Sequence, residues 1–178
     1  MRTRRLPFVR NMLCIALLAC GTAALAKPGA EPIEDQGAFA LGDTLVLPAP
    51  DVAKLEMEDA KAQGGPYRYG VQIPVADLGI SDKAYGRWSE EDGIAIWQFD
   101  LASPGARTLD FHFSKLALPG NATLTIRGEG KDNYRYIDAS QLSASGFWSP
   151  YIAGERATLE LRVPARQRAG VALELASV

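Results

Sequence analysis

The sequence is poor in the residues that carry most chemistry. Its 178 residues include one histidine and two cysteines. Both cysteines, Cys14 and Cys20, fall in a segment that reads as an export signal. A chain relieved of that segment has no thiol, which excludes a disulfide framework, a cysteine nucleophile and a cysteine-based metal site. Any histidine-dependent mechanism must run through His112 alone. A dominant charge is lacking too. The formal net charge of -2 gives no electrostatic case for nucleic acid or an anionic membrane. Apolar runs long enough for a transmembrane span are absent, and no repeat or low-complexity tract appears.

What is present begins with the N-terminus. Arg2, Arg4, Arg5 and Arg10 precede the apolar core Met12 to Ala19, which is too short to cross a bilayer. Ala24-Leu25-Ala26 then offers the small-x-small site that a signal peptidase cuts, ahead of Lys27. A competing signal is Leu17-Leu18-Ala19-Cys20, similar to a bacterial lipobox with Cys20 as the lipidated residue, although Leu18 is large for that motif. The expectation is a signal peptide over residues 1–26 and a periplasmic or extracellular destination, with a lipid anchor at Cys20 as the alternative. Setting the four arginines aside leaves 15 basic residues of the 19, against 21 acidic ones, so the body is mildly acidic.

Residues 27–65 read as a leader that lays one strand against the domain and carries a short helix. Asp51 to Gln63 has helix-forming composition, Asp51 as N-cap and Gly64-Gly65 as a stop. From residue 66 to 178 the pattern is β. Ala95, Trp97, Phe99 and Leu101 alternate on one face, as do Leu109, Phe111 and Phe113, and then Ala122, Leu124 and Ile126. Pro-Gly turns at Pro104-Gly105 and Pro119-Gly120 separate these runs. Further strands are expected over Tyr67–Ile73, Ala84–Trp88, Tyr134–Ile137, Ala157–Val163 and Val171–Leu175, with Ser89 to Gly93 as a polar turn. Eight or nine short strands with regular turn signals predict an all-β fold, an antiparallel, jelly-roll-like β-sandwich.

Candidate chemistry is sparse. Asp110, His112 and Ser114 match a triad in composition, but alternate residues on a strand stand about 7 Å apart, beyond hydrogen-bond reach. Their plain reading is a polar sheet face. Glu90, Glu91 and Asp92 offer oxygen ligands without the spacing of a calcium loop, and charged turns are common. No catalytic residue, metal site or cofactor is therefore expected. The aromatics are the better candidates: Trp88, Trp148, Tyr134 and Tyr136 can form a ligand or partner surface, such as a stacking platform for a polysaccharide. Trp97 follows a core alternation and is expected to be buried. Asn121 opens a glycosylation sequon but is read as a turn residue.

Several segments, taken in order, resemble one family. They are Trp97-Gln98-Phe99-Asp100 with Ser103-Pro104-Gly105-Ala106; Leu118-Pro119-Gly120-Asn121-Ala122-Thr123-Leu124; Trp148-Ser149-Pro150-Tyr151-Ile152-Ala153-Gly154-Glu155; and Leu159-Glu160-Leu161-Arg162-Val163-Pro164. Together they are similar to the N-terminal pro-region of secreted bacterial serine endopeptidases of the lysyl endopeptidase type. In that family the sandwich precedes a trypsin-like domain carrying the catalytic residues. This chain stops at Val178, about where that domain begins, and His112 inherits no role from it. The resemblance implies a non-catalytic prodomain-like module whose partner is a trypsin-like serine protease domain, helped to fold or held inactive. A carbohydrate or cell-surface binding module is the alternative, and an enzyme acting through His112 a third reading.

Overall fold

A computed structural model of the protein describes residues 44–62, 68–81, 85–143 and 146–178. The export signal, Cys20, most of the leader, Tyr67 and Ala84 lie outside the described residues. The elements are β1 (Leu45–Val46), α1 (Val52–Lys61), β2 (Pro74–Gly79), β3 (Arg87–Glu91), β4 (Ile94–Ala102), β5 (Thr108–Leu109) and β6 (His112–Ala117). They continue with β7 (Thr123–Gly128), β8 (Tyr134–Asp138), β9 (Phe147–Trp148), β10 (Ile152–Ala153), β11 (Arg156–Pro164) and β12 (Ala172–Ser177).

Two sheets stack face to face. The larger has the order β1-β4-β11-β7-β8, with β3 pairing the other end of the same β4 edge as β1. The smaller has the order β2-β12-β6-β9. All pairings are antiparallel except the parallel contact of β1 with β4. A third pair, β5 with β10, sets Leu109 opposite Ile152.

Alternation decides which face is dry. Trp97, Leu161, Leu124 and Ile137 stand in one cross-strand row, and Phe99, Leu159 and Ile126 in the next. All seven are at most 1% exposed. Phe111, Phe113, Leu173 and Leu175 meet them in the same core cluster. Each such side chain contributes about 1.5–3 kcal/mol by leaving water, so the core holds the domain without a covalent staple. The intervening residues form polar rows on the outer face: Gln98, Glu160, Thr125 and Tyr136, then Asp100, Thr158, Arg127 and Tyr134. Their long side chains cover one another, leaving Glu160 8% exposed while Gln98 Nε2 donates to its Oε2 at 3.0 Å.

Three expectations need correction. Arg68 to Ile73 is not a strand, despite its alternation, and Pro74 begins β2 instead of ending a strand. Only Ile73 pairs there, exchanging both backbone hydrogen bonds with Val178, so Tyr69 has no sheet to face and stands 97% exposed. Ser89, Glu90 and Glu91 are strand, not turn; the turn is Asp92-Gly93, with φ of 49° and 75°. Two successive positive φ values make the tight type I′ hairpin that an Asp-Gly pair favours. The Leu109–Phe113 run crosses between sheets, since β5 pairs β10 and β6 pairs β9 and β12. Its inward alternation survives the crossing because Leu109, Phe111 and Phe113 all stay buried. Helix α1 has the expected cap, Lys54 N–H donating to Asp51 Oδ1 at 3.0 Å, and buries no residue.

Candidate partner-binding end of the sandwich

The four candidate aromatics do not converge. Trp88 lies opposite Trp97 on the edge of the larger sheet, turned to the core, and the Arg168 guanidinium covers its ring at 4.1 Å. A capped, half-buried indole offers no open stacking face. Tyr134 and Tyr136 sit on β8 at the opposite edge, their rings 5.1 Å apart and inclined by 58°. Trp148 belongs to the other sheet. It is 55% exposed and stacks on His112, with centroids 4.3 Å apart and planes 13° from parallel.

That stack settles what His112 does locally. A catalytic imidazole needs Nδ1 held by an orienting carboxylate. Nδ1 of His112 is buried and has no hydrogen-bond partner in the described structure. Asp110, two residues away, therefore does not orient it. No group of three or more metal-binding side chains occurs among the described residues. Glu90 and Glu91 stand on successive positions of β3, which send side chains to opposite faces.

Trp148 borders a groove of about 530 Å³ at one end of the sandwich. Its walls include Tyr69, Val71, Arg107, Asp110, Trp148 and Val178. Three loops make it. The Arg68–Ile73 segment is tied to the domain by the Ile73–Val178 backbone pair and to α1 by Arg68, which reaches Glu58 and Asp59 at 3.1 Å each. The Ser103–Arg107 turn is closed by Ala106 N–H donating to Ser103 O at 3.0 Å. The β9–β10 connection is pinned where Phe111 N–H donates to Ser149 Oγ at 2.9 Å. Exposed apolar groups beside one acid and one guanidinium make a surface suited to a polypeptide. Sequence reasoning found Trp148 but missed Tyr69 and Val71, which it assigned to a strand.

The β7–β8 turn lies at the same end. Ser103 N–H donates to Glu155 O at 2.7 Å and Gly154 N–H to Arg107 O at 2.8 Å, joining the groove's turn to β10. From β10, Ala153 bonds Asn133, at the base of the β7–β8 turn. Groove and turn thus share one braced rim.

The lysyl endopeptidase N-terminal domain, as a family model, matches residues 46–178, all of the sandwich except Leu45, and this rim. The chain belongs to that family. No curated protein and no solved structure matches it. The lysyl endopeptidase N-terminal domain is a protease pro-region, the part of a precursor set apart from the catalytic domain. No helix among the described residues is long and apolar enough to cross a membrane.

Proposed function

We propose that this exported, non-catalytic sandwich binds a trypsin-like serine protease domain, assisting its folding or covering its active site. The family match over residues 46–178 carries the reading. The geometry supports it: Tyr69, Val71 and Trp148, three of the exposed large apolar side chains among the described residues, line one groove.

The test is refolding. A denatured lysine-specific protease of the trypsin fold is diluted with and without the purified chain, and recovered activity and its inhibition are followed. A higher yield, inhibition of the active enzyme, or both is the expected result. No change in either at micromolar chain overturns the proposal. A second reading, a polysaccharide-binding module, rests on the Tyr134–Tyr136 pair beside the polar rows of the outer face. Affinity electrophoresis on a panel of polysaccharides decides it: retardation abolished by Tyr136→Ala supports it, and unretarded migration rejects it.

A further inference from the structure

We infer that the β7–β8 turn presents Lys131 as a plug for the primary specificity pocket of a lysine-specific, trypsin-like protease. The inference rests on the function proposed above and names the contact that would make it inhibitory. Such pockets select a cationic side chain through a carboxylate at their base. A plug must therefore be a cation, unpaired, at the tip of something narrow and already ordered.

Among the described lysines, Lys131 alone meets all of these conditions. Lys54 and Lys61 lie on α1, a rod about 10 Å across that cannot enter a cleft. Lys115 stands in a strand and pairs with Glu174 at 3.4 Å. Lys131 is exposed at the apex of a hairpin, between Gly130 and Asp132, and is the only cation the turn presents.

The turn is rigid for an identifiable reason. The Asn133 amide donates to Ala153 O at 2.7 Å and to Glu129 O at 3.2 Å, and its oxygen accepts from Ala153 N–H at 3.2 Å. Gly128 N–H donates to Asn133 O at 2.8 Å. The hairpin base is packed so closely that a Cβ on Gly128 would clash with Ile152 Cγ2. Ordering settled before contact need not be supplied by the complex, which is how a small contact gains affinity. Asn133 N–H also approaches Gly130 O at 3.4 Å, folding Lys131 and Asp132 into a tight turn. A protease cuts a bond presented in near-attack geometry. The turn withholds the bond after Lys131 from that geometry and leaves the side chain free to enter, so the lysine occupies the pocket without being cut.

The experiment measures inhibition of a lysine-specific endopeptidase of the trypsin fold by the purified full chain. It also measures binding to that enzyme with its specificity pocket filled by a small lysine analogue. The wild-type chain should inhibit competitively, and the analogue should displace it. Lys131→Ala should weaken inhibition by about 30-fold or more, the loss expected of a central hot spot. Lys54→Ala should not change it. Two results overturn the plug while leaving the partner reading intact: a folded Lys131→Ala chain that inhibits like wild type, or binding indifferent to the analogue. Absence of any binding to the enzyme, filled or empty, overturns both.

Discussion

Gly86 precedes β3 with φ of +80°, and a Cβ built on it would lie 2.5 Å from Trp97 Nε1 and 2.6 Å from Cε2 and Cζ2. Replacing it by alanine therefore has two separable costs. Holding an L-residue in the left-handed region costs about 1–2 kcal/mol. Forcing a methyl group against a side chain that is 0% exposed costs about 1–3 kcal/mol, because the indole has no space into which to retreat. Gly86→Ala should lose about 2–5 kcal/mol, a large part of the roughly 5–15 kcal/mol that stabilises a typical domain. Urea unfolding followed by far-UV circular dichroism measures it, a signal that does not depend on Trp97 itself. The two costs are separated by Trp97→Phe, which removes the pyrrole nitrogen and the fused-ring atoms that the methyl group would meet. In the double variant the steric cost vanishes and the backbone cost stays, giving a coupling of about 1–3 kcal/mol. Wild-type stability for Gly86→Ala would refute the reasoning, as would single-variant losses that add to within about 0.5 kcal/mol.

Asp100 provides a pH test. Burial raises its carboxyl above the ordinary 3.8, and the Thr158 hydroxyl, donating at 2.6 Å, pulls the other way. The folded state thus holds this proton more tightly than the unfolded one. The stabilisation is full below the unfolded-state pKa and is lost as pH rises through the folded-state value. Asp100→Asn keeps an acceptor for Thr158 and should raise the urea midpoint at neutral pH but not in acid; a lowered neutral midpoint contradicts this. Asn133→Ala should speed amide exchange across Glu129 to Asn133 by more than it changes exchange in β11, read by mass spectrometry. Uniform exchange changes would deny it the bracing role. Trp148→Ala removes a half-exposed ring and should alter stability by less than about 1.5 kcal/mol, yet weaken binding to the protease domain. Unchanged binding would take the groove out of the interface.

Much of the sandwich was legible because burial on one face imposes a period of two. Trp97, Phe99, Leu159, Leu161, Leu124 and Ile126 fall on the dry face as their spacing requires. Where alternation misled, the deciding contact was distant. Tyr67 to Ile73 alternates as well as any strand, but among its described residues only Ile73 forms a backbone ladder pair, and its partner is Val178. The Asp92-Gly93 hairpin was legible locally and was masked by the charge of Ser89 to Asp92, since a solvent-facing edge strand can be as polar as a loop. At the candidate site, Trp148 could be named from its place near a strand end, while its stack on His112 depends on the β6–β9 pairing. Asn133 carries no sequence signal for a brace, because Ala153, its main partner, lies 20 residues away.

The innermost member of the larger sheet, β11, follows every other strand of that sheet in the sequence, spanning Arg156–Pro164 and bonding β4 on one side and β7 on the other. Until those nine residues emerge, the two strands they join have no common neighbour. A nascent chain that lacks its centrepiece cannot collapse early into the finished sandwich.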